Sequence, residues 1–281
     1  MGAFLPEREH LAADPYGVSF AHSVLRAVHA SALRHPDLAR RILAAPSSLR
    51  NFVLWMQLRT RAIDDRMLDF VARGPTQVVF LGAGHDMRAV RFRAALQRAR
   101  VFEVDHPETQ RRKRACLKDL GVGSDCLFVP FDFAASPVHT LGSALAAAGH
   151  VPTRPTLTIW EGVTMYLTEP AVSASMRAVA AYSGPDSALL VSYIDAKAVR
   201  RPWGEQRLTQ RLTALAGEPH IFGFRPDSLS EYAAERGFSV RSDVTDLDLA
   251  ERYLPRVDTR LFRREERHIA ELALIETRSD G

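Results

Sequence analysis

The run Val78-Val79-Phe80-Leu81-Gly82-Ala83-Gly84 constrains the fold more than any other stretch of the chain. A short, wholly apolar, partly β-branched segment reads as a strand buried on both faces. It breaks off in two glycines one residue apart. The first lets the backbone turn tightly, and the second leaves room for a ligand to approach. A second strand-like run, Val101-Phe102-Glu103-Val104-Asp105, follows and ends in an acid. That acid lies about 20 residues on, the spacing at which a carboxylate accepts hydrogen bonds from ribose hydroxyls. The pattern reads as a nucleoside-cofactor cradle. The plainer alternative is a tight strand-to-helix turn, with Asp105 capping the helix opened by Pro107.

Strand and helix patterns alternate from that point. Residues 77–81, 101–104, 127–131, 156–160 and 188–194 read as strands, with 238–241 and 270–277 as the last two. Helical patterns cover 88–99, a segment opened by Pro107, and 168–182. Such alternation predicts an α/β fold, a mostly parallel sheet with helices on both faces. Residues 15–72 lack strand alternation and carry helical pieces at 20–33, 36–45 and 52–71. The expected organisation is a single domain. A helical N-terminal extension covers 1–75 and the cofactor-binding core 76–194. A helical insertion over the ligand face follows at 195–235, and the final strands lie in 236–281. Ligands of such sheets bind beyond the carboxyl ends of the strands. Gly82, Asp105, Asp132 and Glu161 all fall at such ends. Each alone reads as a turn residue; four together carry more weight.

Composition narrows the class. The chain has 281 residues, 46% of them hydrophobic, enough for a sizeable core. No apolar run approaches the roughly 20 residues needed to cross a bilayer. The acidic, Pro-containing start argues against a signal peptide, and Pro6 stands where a myristoylation signal wants Ser or Thr. The two cysteines, Cys116 and Cys126, form no metal-ligand motif and no disulfide framework, so a reducing cytoplasm is expected. His85, His106 and His220 lack metal-ligand spacing, and no metal site is assigned. The net charge of +4 and pI near 9.3 come mostly from arginine. That suits an acidic small substrate more than a dedicated nucleic-acid binder. The run Arg111 to Arg114 reads as a solvated helix face.

A dinucleotide site would show a third glycine to carry a pyrophosphate on a helix N-terminus. Met87 occupies that place, and the loop carries His85, Asp86 and Arg88. S-adenosylmethionine, which has no pyrophosphate, fits better. Further motifs share the pattern: Arg59-Thr60-Arg61-Ala62-Ile63-Asp64-Asp65, Phe102-Glu103-Val104-Asp105-His106-Pro107, Phe128-Val129-Pro130-Phe131-Asp132-Phe133 and Trp160-Glu161-Gly162-Val163-Thr164-Met165-Tyr166-Leu167. Together with the glycine loop they resemble the leucine carboxyl methyltransferase family, in particular its bacterial branch of S-adenosylmethionine-dependent O-methyltransferases, some acting on polyketides. The late segments Phe222-Gly223-Phe224-Arg225-Pro226 and Glu235-Arg236-Gly237-Phe238 are similar to the family as well.

The resemblance implies a Rossmann-like, seven-stranded methyltransferase sheet with a reversed last hairpin. It implies that Arg59 binds the methionine carboxylate and that Gly82, with Ala83 and Gly84, flanks the methionine portion. Asp105 matches the ribose-binding acid. Asp132 and Phe133 match the pair that holds adenine, although relatives often carry Leu at the second place. Glu161 matches an acid near the amino-acid end of the cofactor, and Tyr166 a tyrosine on the acceptor side. The residues alone leave plainer roles open: Asp132 as a loop residue, Tyr166 as a packed core ring, Arg59 or Arg61 as partners of Asp64 or Asp65. The expected partner is a small-molecule acceptor bearing a carboxylate or hydroxyl, with no nucleic acid or membrane and an oligomeric state the sequence does not set. Arg200, Arg201 and Arg225 are candidate holders of an acidic acceptor. Protein C-terminal carboxyl methylation, a non-catalytic sensor and RNA modification are the alternatives.

Overall fold

The apolar run is the middle of the sheet. Strand β1 (Gln77–Leu81) is buried along its whole length. It pairs in parallel with β2 (Arg100–Asp105), which pairs with β3 (Leu127–Pro130). On the other side β1 pairs with β4 (Thr156–Trp160) and β4 with β5 (Ala188–Ile194), again in parallel. The last two strands, β6 (Phe238–Thr245) and β7 (Arg267–Leu274), form an antiparallel hairpin, and β7 inserts beside β5. The order is β3-β2-β1-β4-β5-β7-β6. The chain runs outward from β1 to one edge and then returns to β4, so the crevice between β1 and β4 is the switch point where such sheets take ligands. The computed structural model describes residues 4–20, 23–45, 47–74, 76–202, 207, 210–211, 214, 219–255, 262 and 266–275.

Side chains alternate across each strand and both faces are covered. Val78 and Phe80 join Leu157, Ile159 and Leu190 in a cluster with Leu54, Leu58, Ile63 and Met67 of the N-terminal helices. Val79 and Leu81 join Phe102, Trp160 and Val191 on the opposite face, against Val172, Met176 and Val179. The α-helices with both ends among the described residues are α1 (Gly17–Phe20), α2 (Ser23–Arg34), α3 (Pro36–Ala44), α4 (Ser48–Val71), α5 (Arg88–Arg91), α6 (Pro107–Asp119), α7 (Leu141–Ala147), α8 (Glu169–Tyr182), α9 (Ala196–Arg200), α10 (Leu229–Ala234) and α11 (Asp246–Tyr253). No described helix is long and apolar enough to cross a membrane.

Several boundaries differ from the sequence reading. Helix α4 starts one turn earlier than expected, because Ser47 caps it by accepting from Arg50 N at 3.1 Å. The helix expected over 88–99 ends at Arg91: Phe92 leaves helical geometry (φ −109°, ψ 23°), and the chain resumes as a 3-10 turn, Ala95–Arg98, that buries Leu96. Strand β6 continues to Thr245 through a bulge between Val240 and Ser242, which scrambles the period-two pattern. Strand β7 starts at Arg267 rather than 270. Arg267 and His268 are buried in it, with Asp246 and Asp243 respectively 3.8 and 3.3 Å away. Residues 276–277 of that expected strand lie outside the described residues.

The basic run on α6 is not wholly solvated. Arg111, Arg112 and Arg114 are exposed, but Lys113 is buried. Its Nζ donates to Glu103 Oε2 at 2.6 Å and to Asp86 O. Burial raises the Glu103 pKa, and Lys113 opposes the rise. Lys113→Met therefore strands a carboxylate inside the sheet and should cost about 3–5 kcal/mol. Combining it with Glu103→Leu should recover most of that loss. Urea unfolding of the single and double variants tests this, and additive losses would defeat it.

Candidate active site

The glycine loop after β1 is held by its neighbours. Gly82 and Ala83 both donate to Val104 O, at 2.9 and 3.1 Å. Gly84 N donates to Asp105 Oδ2 at 2.5 Å, and His106 N to Asp105 Oδ1 at 2.7 Å. Asp105 thus closes the loop, and each of its oxygens keeps a lone pair for a further donor. It does not cap α6. That cap is His106, whose Nδ1 accepts from Glu108 N at 3.1 Å. Gly82 has φ +69°, and a Cβ there would lie 2.8 Å from Val163 Cγ2. Gly84 has φ +48°, and a Cβ would meet only Gly82 O at 4.0 Å. Strain and space both demand the first glycine; strain alone demands the second.

Behind the loop, buried Arg88 gathers three carboxylates. Its Nε donates to Asp64 Oδ1 at 2.6 Å, and its Nη1 to Asp86 Oδ2 and Glu161 Oε2, each at 2.5 Å. The same acids hold two more arginines. Arg91 Nη2 donates to Asp64 Oδ2 at 2.6 Å, and Arg59 Nε stands 2.6 Å from Glu161 Oε1. The Arg59 contact is an ion pair without hydrogen-bond alignment, and its buried Nε finds no hydrogen-bond partner. Burial works against a charged Arg88, but Asp86, Glu161 and Asp64 outweigh it and raise its pKa. Burial pushes Asp64 up, against the pull of Arg88 and Arg91. Burial alone would raise Glu161 too; Arg88 and then Arg59 overcome it and hold that carboxyl down at about 2.

Over this cluster lies a cavity of ≈ 560 Å³. Of the residues singled out from sequence, Arg59, Gly82, Ala83, Gly84, Glu161 and Tyr166 line it. Asp105, Asp132 and Phe133 do not. Asp105 stands behind Gly84. Asp132 follows β3, where its Oδ1 accepts from Ala134 N and Ala135 N at 2.8 and 3.2 Å. Those amides, Ala134 foremost, and the nearby His106 hold its pKa below the ordinary value. Phe133 is exposed and edge-on to Phe131, ring centroids 4.9 Å apart. Tyr166 ends a 3-10 turn, Thr164–Tyr166, with its ring edge-on to His220 at 5.3 Å.

The cavity also has walls that sequence reasoning missed. Trp55 and Met56 reach it from α4, one turn before Arg59, as i, i+3 and i+4 spacing allows. Arg267 reaches it from β7, with its guanidinium 5.7 Å from the Trp55 ring. Burial, with Arg59 adding to it, lowers the Arg267 pKa to about 10, so it stays protonated at neutral pH. The arginines offered from sequence for an acidic acceptor lie elsewhere. Arg225 is exposed and 3.3 Å from Asp227, while Arg200 and Arg201 line a separate hollow. Their position after β5 carries them past the strand end. His85 of the glycine loop stacks on Phe20 of α1 with ring centroids 4.8 Å apart. It fastens the N-terminal segment to the glycine loop.

The sequence profile described as leucine carboxyl methyltransferase matches residues 3–180, which hold the loop, the acids Asp105, Asp132 and Glu161, and the Arg59 helix. The chain belongs to the leucine carboxyl methyltransferase family. Among its relatives, a Mycolicibacterium smegmatis protein is 30% identical over 227 residues, 76% of this chain and 72% of that one. A Frankia alni protein is 39% identical over 132 residues, 46% of this chain and 44% of the relative. Both are provisionally named S-adenosyl-L-methionine-dependent methyltransferases. The chain spans about half the length of several curated relatives it matches. The same fold occurs in crystal structures of a Streptomyces avermitilis protein (TM-score 0.58, 13% identity, 86% of this chain and 90% of that chain). It occurs also in a Thermobifida fusca protein provisionally named a methyltransferase (TM-score 0.56, 17% identity, 85% and 89%).

The Glu161 cluster has a consequence for acid stability in this family member. Folded Glu161 titrates at about 2 against an ordinary 4.5, so its contribution is complete above pH 4.5 and disappears as pH falls through about 2. Glu161→Gln removes that dependence. Urea midpoints followed by tryptophan fluorescence should fall more steeply for the wild type than for the variant across this window; parallel curves would contradict it.

Proposed function

We propose that this chain transfers the methyl group of S-adenosyl-L-methionine to an oxygen, a carboxylate or hydroxyl, of a small metabolite. The observation that carries the reading is the Arg59–Glu161 pair, set in the cavity wall beside the Gly82–Gly84 loop. A guanidinium and a carboxylate side by side complement the carboxylate and ammonium of an amino acid. Family membership and the names of the relatives support the same cofactor. The cavity volume lies within the range of small-molecule sites, about 300–1,000 Å³.

In this reading Arg59 takes the methionine carboxylate and Glu161 the amino end, while Gly82, Ala83 and Gly84 keep side chains out of the way. Asp105 offers its free lone pairs to the ribose hydroxyls. Asp132 accepts from the adenine amine, and Phe133 packs against the ring. Bound S-adenosylmethionine supplies an electrophilic methyl group on a sulfonium whose charge is lost in the reaction. The chain's task is to align the acceptor in line with that methyl and to keep water away. Trp55, Met56 and Tyr166 furnish an apolar wall for this, and Arg267 a cation for an acidic acceptor. A carboxylate, with a pKa near 4, arrives ionised; a phenol, near 10, must lose a proton.

Calorimetry with S-adenosylhomocysteine tests the assignment. Arg59→Met and Asp105→Ala should each weaken binding by about 10- to 100-fold, the worth of a hydrogen bond to a charged group. Unchanged affinity in both variants, or no binding by the wild type, would remove the reading.

A further inference from the structure

We propose that His220 is the proton acceptor of this site, and that the methyl acceptor is accordingly a hydroxyl of phenol or enol character rather than a carboxylate. The inference rests on the methyl-transfer reading above and narrows its substrate class.

The ring is placed by a firmly held loop. Ile221 N donates to Met165 O and Ala196 N to Phe224 O, each at 2.8 Å. Gly223 sits so close to β5 that a Cβ there would lie 2.6 Å from Ile194 O. This pins His220 beyond the carboxyl ends of β4 and β5, on the cavity wall, edge-on to Tyr166. Neither ring nitrogen has a hydrogen-bond partner among the described residues, and Nδ1 is sealed from solvent. Nε2 is therefore the nitrogen that a ligand can reach.

Burial lowers the pKa of His220, so the ring is neutral at pH 7. In the tautomer protonated at Nδ1, Nε2 presents a lone pair. Tyr166 is the titratable group packed on the ring; Arg59, Glu161 and Arg267 are charged groups elsewhere on the cavity wall. A carboxylate acceptor would have no use for such a base, whereas a hydroxyl needs one. The hydroxyl oxygen gains the methyl while the C–S electron pair stays with sulfur. Its proton passes to Nε2, and the imidazolium returns that proton to solvent.

The probe is 4-hydroxybenzoate, which carries both kinds of oxygen on one ring, supplied with labelled S-adenosylmethionine. The expected product is the base-stable ether. His220→Gln should leave S-adenosylhomocysteine affinity unchanged and lower kcat at pH 7 by about 100-fold or more. The variant's rate should then climb with pH toward the phenol's own ionisation near 10, while the wild type stays level above neutrality. In protein loaded with S-adenosylhomocysteine, the probe should also shift the His220 ring ¹⁵N resonances. A base-labile ester, a wild-type rate and profile in His220→Gln, or unmoved ring resonances would overturn the assignment. Failure of wild-type protein to bind S-adenosylhomocysteine would overturn the methyl-transfer reading instead.

Discussion

Arg88 reaches from the first turn of α5 to Asp64 on α4, to Asp86 in its own loop and to Glu161 after β4. Each contact joins a part of the fold that the chain visits at a different time. A buried guanidinium is tolerable only where carboxylates answer it, and buried carboxylates only where cations answer them. The three acids and their arginines therefore specify one another's positions. The glycine loop follows from this arrangement. Asp86 is fixed through its side chain by Arg88 and through its carbonyl by Lys113, and between Asp86 and β1 the backbone has only the path that two glycines permit.

The N-terminal helices are part of the same construction. Helix α4 supplies Trp55, Met56 and Arg59 to the cavity and Asp64 to the ion cluster. The stack of Phe20 on His85 ties α1 to the loop. The cavity is thus walled on one side by residues that come before the first strand and on the other by residues after the fourth and fifth. A truncated α/β core beginning at β1 would bare the sheet face that α4 covers and take Arg59 out of the cavity wall.

The strand ends were legible in the sequence because they obey a local rule. Buried parallel strands are apolar throughout, and the first polar or glycine residue after each marks the edge where ligands gather. Gly82, Asp105, Asp132 and Glu161 came to light that way. Arg88 did not, since an arginine opening a helix looks like any surface residue until three distant carboxylates are seen to converge on it. Lys113 was misread for a similar reason: it sits in a run of four basic residues, and only the register of α6 against β2 shows that one of them points inward. Arg267 and His220 lie in segments of mixed composition whose approach to the cavity depends on the β5–β7 pairing and on the loop pinned to Met165. Those are contacts between residues far apart in the chain, and no local pattern encodes them.

The ion cluster can also be considered as a source of electric field. Arg59, Arg88 and Arg91 face Asp64, Asp86 and Glu161, so the cluster carries no net charge although the chain as a whole carries +4. What it presents to the cavity is a dipole, and a dipole's field fades over a few ångströms where that of a bare charge extends to the screening length of the solution. The floor of the site is therefore polar at contact and nearly silent at a distance. A charged group would sense that floor only at contact, and the basic exterior adds little to it.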